Sequence, residues 1–168
     1  MRKNNKGFSY VELIIVLAII AVLIGMVSIT IGLVSRTNVA KAADKLENTL
    51  NQARTTSMAR GSSRGTITIR CGNDGWYYYS VGGGEDVKLV STQAKISLSY
   101  SENSGGVVTT STNTLTSGSA VTISFEQSTG AFRTIPGTSY YWENITIQNG
   151  DKIAEITLYP HTGKCEIQ

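Results

Sequence analysis

Residues 6 to 34 read KGFSYVELIIVLAIIAVLIGMVSITIGLV, and the fold turns on this stretch. From Leu13 to Val34 no residue is charged. As an α-helix the run spans roughly 33 Å at ~1.5 Å per residue, against ~30 Å of bilayer hydrocarbon. It is long enough to cross a membrane. The residues ahead of Phe8, MRKNNKG, carry Arg2, Lys3 and Lys6 and no acid, which would hold the N-terminus on the cytoplasmic side.

Two simpler readings compete. A secretory signal peptide also has a basic start and an apolar middle, but its apolar core is usually ~7–15 residues. The nearest small-x-small site, Ala40-Lys41-Ala42, lies well beyond the end of the run. A plain signal anchor accounts for the run and leaves Glu12 unexplained. Glu12 sits between Val11 and Leu13, and the residues that follow are aliphatic. A charged Asp at the centre of a membrane helix costs roughly 2.5–3.5 kcal/mol, less near an end. The chain offers no counter-charge within helical reach, so a partner on another molecule is the natural solution.

Lys6-Gly7-Phe8-Ser9-Tyr10-Val11-Glu12-Leu13 resembles the cleavage and methylation motif of type IV prepilins and pseudopilins. In that family a membrane peptidase cuts after the Gly and methylates the new amino terminus. The resemblance implies a cut between Gly7 and Phe8, methylation of Phe8, and Glu12 as the fifth residue of the mature chain. It further implies that Glu12 pairs with the N-terminal amine of a neighbouring subunit during assembly. Major pilins commonly carry a proline late in the apolar helix. Here the only prolines are Pro136 and Pro160, although Gly25 and Gly32 could loosen the helix. That departure tilts the reading toward a minor pilin or pseudopilin and makes a major pilin more distant.

Beyond Arg36 the helical pattern continues. Val39, Ala42 or Ala43, Leu46, Leu50, Ala53 and Ser57 recur at steps of three and four, a narrow apolar stripe. Gly61 with Ser62-Ser63 is a stop signal. One helix is expected from about Ser9 to about Arg60. From Gly65 onward the signals are β. Alternation predicts strands at Thr66–Cys71, Trp76–Tyr79, Val87–Val90, Ile96–Tyr100 and Val121–Phe125. Asn149-Gly150 reads as a two-residue hairpin turn, pairing Ile147 with Lys152 and Ile145 with Ala154. A four-residue loop Pro160–Gly163 then sets Cys165 opposite Leu158 and Ile167 opposite Ile156. Ser101 to Ala120, rich in Ser, Thr, Gly and Asn, reads as an exposed hairpin or mobile loop.

The expected class is α+β: a long N-terminal helix, membrane-spanning in its first half, packed on a C-terminal antiparallel β-rich head. Its divisions are a leader (1–7), a transmembrane and filament-core helix (8–35), an amphipathic continuation (36–61) and a head (62–168). Phe125–Gly130, the terminal Thr162–Ile167 and the approach from Ala53-Arg54 to Arg60-Gly61 resemble the GspH/FimT group of pseudopilins and minor pilins. That resemblance implies the pilin fold and a low-abundance tip or priming subunit of a type IV pilus or type II secretion-like filament. The implied partners are the prepilin peptidase, sister pilins, an inner-membrane assembly platform, and lipid before assembly. The implied location is the cytoplasmic membrane with the head outside, and then a periplasmic or extracellular filament.

The rest of the chain offers little chemistry. Fifteen Lys and Arg face twelve Asp and Glu, and removal of the three leader cations leaves a formally neutral chain. A broad basic field for nucleic acid is therefore not implied. Some FimT-like proteins are similar to DNA receptors and use an Arg-rich C-terminal tail, whereas Gly163–Gln168 holds one Lys, one Glu and no Arg. Arg54, Arg60, Arg64 and Arg70 form the one basic series that could make weak nucleic-acid contact. Their plainer reading is solvated charge. DNA uptake or surface adhesion at a filament tip is thus the alternative function.

His161 is the only histidine, and no CxxC, Cys/His cluster, GxSxG or Walker loop is present, so no metal, cofactor or catalytic residue is assigned. An enzyme is a distant third reading. Cys71 and Cys165 fall on predicted apolar strand faces. An exported domain would permit a disulfide between them, contributing roughly 4 to 5 kcal/mol in the loop-entropy account. Two buried free thiols satisfy the same pattern. Trp76–Tyr79 and Tyr140–Trp142 should send alternate aromatic rings into the core.

Overall fold

The computed structural model describes the backbone of residues 10–104 and 107–168, and the side chains of 10–23, 38–102 and 108–168. Helix α1 runs Tyr10–Arg60 and is followed by a short 3-10 turn, Ser62–Gly65. Among the described residues nine strands follow: β1 Ile67–Cys71, β2 Trp76–Val81, β3 Val87–Ser91, β4 Lys95–Ser104, β5 Val107–Thr114, β6 Ala120–Ile123, β7 Asn144–Asn149, β8 Lys152–Tyr159 and β9 Lys164–Ile167. They form two antiparallel sheets, ordered β3-β2-β1-β6 and β5-β4-β7-β8-β9. The class is α+β.

The chain divides into two compact units, Met1–Ser35 and Arg36–Gln168. Among the described residues no helix is long and apolar enough to cross a membrane. The predicted span Leu13–Val34 passes beyond Leu23 into side chains outside the described residues.

Within the second unit the helical stripe is the centre of the core. Val39, Ala42, Ala43, Leu46, Leu50, Ala53 and Ser57 are all buried. Both alanines share the buried face, because a helix lying on two sheets needs an apolar arc wider than a single row. Ile67, Ile69 and Cys71 of β1 and Ile145, Ile147, Ile156 and Leu158 of β7 and β8 complete the same cluster. Alternation explains each set: strand side chains point to opposite faces, and one face of each sheet is covered.

The β7–β8 hairpin corrects the predicted register. Asn149 pairs with Lys152, Ile147 with Ala154 and Ile145 with Ile156, so the turn residues are Gly150 and Asp151. An Asn-Gly turn of type I′ needs positive φ at both central positions. Here only Gly150 has it, at φ 59, and no non-glycine residue among those described does. The turn is therefore of the Gly-first type. The pairing shifts by an even step, so the apolar face is the one expected. The next turn follows the sequence reading, with Leu158 opposite Cys165 and Ile156 opposite Ile167.

The Ser/Thr-rich stretch takes the hairpin form of its two readings, with β4 extended to Ser104 and paired with β5 from Ser97 to Ser104. Two other expectations change. The strand predicted at Val121–Phe125 ends at Ile123, and Phe125 makes an isolated bridge to Phe132 with the rings 4.7 Å apart. Tyr140–Trp142 lies outside any strand, yet Trp142 is buried.

Glycine sets how closely the chain returns to α1. Gly61, at φ 101, ends the helix, and Gly65 is pressed onto its last turns. A methyl group at position 65 would lie 2.1 Å from Ser57 Oγ and 2.2 Å from Ala53 O. Both are far inside contact distance, and one is backbone. Gly65→Ala is expected to destabilise the head by about 3 kcal/mol through overpacking and to lower its melting temperature by about 10 °C. Near-UV circular dichroism melting of the detergent-solubilised chain checks this; an unchanged midpoint would contradict the close approach.

Candidate functional site

Glu12 lies in the first turn of α1, where the positive end of the helix dipole favours a carboxylate. Its side chain is exposed, and it has no cation partner among the described residues. Gly7 and Phe8, the predicted cleavage and methylation positions, lie outside the described residues.

The surroundings of Glu12 are unusual for a water-facing helix. Tyr10, Val11, Leu13, Ile14, Ile15, Val16, Leu17, Ile19, Ile20, Val22 and Leu23 are all exposed, from 45% to 79%. They run round the whole helix rather than along one stripe, as in a helix meant to be covered on every side. Contiguous apolar surface of this kind marks a contact with lipid or protein. Covering it fully would release on the order of 10 kcal/mol, at roughly 25 cal/mol per Å².

The head presents a different chemistry. Among the described residues no group of three or more His, Cys, Asp or Glu is placed to hold a metal. In the structure Cys71 and Cys165 are both free and buried. They sit in different sheets, Cys71 in β1 and Cys165 in β9, with Cys165 Sγ directed at Asn51 Oδ1, 3.5 Å away, on α1. Burial, reinforced by the negative charge of Glu47, pushes the Cys165 thiol up to about 11.

The four arginines are not equivalent. Arg54 donates from Nε to Gly130 O at 3.1 Å and so ties the helix to the Phe125–Phe132 turn. Arg70 pairs with Asp86, its Nε 3.0 Å from Oδ2, and its guanidinium lies 4.6 Å from the Tyr78 ring centre. The Asp86 hydrogen bond holds the Arg70 guanidinium above its ordinary range and the Asp86 carboxyl below its own. Arg60 and Arg64 are exposed. The series therefore contains two structural contacts and two solvated cations. His161 packs edge-on to Tyr141, with ring centres 5.9 Å apart.

One arrangement escaped the sequence reading. On the first sheet, Arg70 stands opposite Tyr78 and Tyr78 opposite Lys88. Lys88 Nζ lies 4.7 Å from the Trp76 ring centre. The exposed face is thus an alternation of cations and rings across three strands. The signal was present as Arg70, Tyr78 and Lys88 at outward positions, but only the register brings them side by side.

Residues 2–28 match a family described as a prokaryotic N-terminal methylation motif. The match supports a type IV pilin-like prepilin. A motif of this kind implies processing by a prepilin peptidase and assembly with other pilin subunits. No curated protein and no solved structure matches the chain.

The thiols give a test of the head. A raised thiol holds less thiolate, the reactive form, at any pH below its own titration. At pH 8, Cys165 should react with iodoacetamide at least about 100-fold more slowly in the native chain than after unfolding, and reduction should leave the mass unchanged. A loss of two hydrogens in freshly isolated protein would contradict the free-thiol state.

Proposed function

We propose that this chain is a structural and assembly subunit, of the minor-pilin or pseudopilin kind, in a type IV pilus or type II secretion-like filament. The observation that carries the reading is an exposed carboxylate in the first turn of a helix whose surrounding side chains are apolar and uncovered. The methylation-motif match over residues 2–28 supports it. The leader is 1–7, the membrane and filament-core helix 8–35, its amphipathic continuation 36–61 and the head 62–168. The chain waits in the cytoplasmic membrane as a single-pass protein with its head outside, then enters the filament by way of the assembly platform.

The chemistry follows from the charges. Cleavage after Gly7 frees the amine of Phe8. Methylation keeps that amine cationic and removes donors it would otherwise have to satisfy. Glu12 of one subunit then meets the amine of the next in a setting without water, where an ion pair is far stronger than on a surface. Either charge alone would be left uncompensated, at several kcal/mol. Tip adhesion or DNA uptake remains the competing function. The commitment of Arg54 and Arg70 to contacts inside the head favours the structural reading over it.

Two experiments test the proposal. Intact-mass and N-terminal analysis of the filament-associated protein should give a chain beginning at methylated Phe8. An intact Met1, or a cut near Ala42, in functional material defeats the processing claim. Glu12→Ala should leave export and cleavage intact and reduce incorporation into filaments at least about tenfold, the equivalent of ~1.4 kcal/mol. Normal incorporation of that variant would remove the pairing role.

A further inference from the structure

The second sheet ends in β5, which pairs with β4 and with no other described strand. One hydrogen bond tells which backbone groups its free side presents. The amide of Leu115 donates to Ile96 O at 2.9 Å, continuing a register that runs unbroken from Ser97–Thr114 to Ser104–Val107. In an antiparallel ladder, alternate residues turn both backbone groups toward the same neighbour. Thr109, Ser111 and Asn113 therefore bond to β4. Val108, Thr110, Thr112 and Thr114 turn amide and carbonyl to the open side. All four are exposed, Val108 at 64%.

A free edge is a template for another strand, and folds guard it with charge, proline, brevity or a bulge. The other three sheet edges of the head are guarded in these ways. β6 and β9 are four residues long, and β9 carries Lys164 and Glu166. β3 carries Lys88 and meets β2 through a register shift at Tyr77/Tyr78. β5 has eight residues, with no charge, proline or glycine among them. Between Glu102 and Glu126 the chain holds no charged residue at all. The strand's composition also selects its occupant. Set against its own copy, antiparallel about Ser111, β5 places Val108 opposite Thr114 and Thr110 opposite Thr112. Those are the four residues whose backbone groups are free. Each such pair is β-branched on both sides, which suits cross-strand neighbours, and no like charges meet.

We propose that two copies of this chain join head to head through β5, antiparallel about Ser111, into one continuous sheet with five strands from each. The pairing does not rest on the filament reading. A two-fold contact of this kind closes on itself and does not propagate. In a filament it therefore suits a lateral link between neighbouring filaments rather than growth along one.

Position-dependent cross-linking of the full chain in detergent tests this, because micelles can hold two chains together for other reasons. In the proposed register Ser111 faces its own copy in a non-hydrogen-bonded pair, with Cα atoms about 4.5 Å apart, within the reach of a disulfide. Thr114 lies six positions from its copy, roughly 20 Å away. Under mild oxidation Ser111→Cys should form a covalent dimer at least about tenfold faster than Thr114→Cys, although Thr114 is the more exposed of the two. The buried Cys71 and Cys165 should leave the unsubstituted chain monomeric on a non-reducing gel. Adding Thr110→Lys/Thr112→Lys to Ser111→Cys sets like charges opposite each other at exposed positions. It should slow the cross-link at least about tenfold and leave the melting curve unchanged. Equal rates at 111 and 114, as random collision or a parallel pairing would give, overturn the proposal. So does a cross-link that survives the two lysines, or a Ser111→Cys adduct with a different protein in place of the dimer.

Discussion

A helix that is apolar on all sides cannot remain in water, and the first part of α1 is such a helix in every described residue from Leu13 to Leu23. Nothing in the chain's own head is needed to explain that surface, because the head has a separate, complete core around the stripe from Val39 to Ser57. Two demands are thus placed on one helix. The later part is satisfied within the molecule, by both sheets. The earlier part is left exposed, and in the proposed role lipid covers it at one time and other subunits at another. Apolar surface accepts either environment with little difference in free energy, so transfer between them has no large step to overcome.

The head's build follows from needing to hold one helix against two sheets. Small residues bring the partners close: Ala42, Ala43 and Ala53 on the helix side, Gly65 after it, and Gly130 and Gly163 in the loops. Gly163 is the tightest. A methyl there would lie 1.7 Å from Gly130 O, the carbonyl that accepts from Arg54. Helix, Phe125–Phe132 turn and β8–β9 turn therefore meet at a single point, and that point has room for backbone alone. Arg54 satisfies a carbonyl there that the approach of the loops removes from water.

How much of this was legible depends on the range of the interaction. The helix and its stripe were readable because a period of three and four residues is local. The face of the C-terminal meander was readable because alternation survives an even shift, even though Asn149-Gly150 was assigned to the wrong side of the turn. The Gly-first turn turned on a single φ, which the dipeptide does not specify. Glu12 was readable because a charge beside an aliphatic run is conspicuous in any context. The pairing of β4 with β5 was only half readable: Ser and Thr suit strands and loops alike, and a partner strand decides between them. The closures at Gly65, Gly130 and Gly163 were not readable. Each depends on segments far apart in the chain that meet only after folding.

The contrast between the aliphatic surface and Glu12 also bears on how a filament would find its register. Hydrophobic contact is non-directional, and two helices covered in Leu, Ile and Val can slide past each other with small changes in buried area. A single carboxylate among such residues changes this. In the proposed assembly every axial offset but one leaves it without a counter-charge in a medium that does not solvate it, at a cost of several kcal/mol. The charge need not strengthen the assembly overall, since an apolar pair of the same size could pack as well. Its effect is to make all other registers worse, as a lone polar residue does in the seam of a coiled coil. In the proposed assembly a uniform apolar helix supplies the affinity, and one acid near its start supplies the alignment.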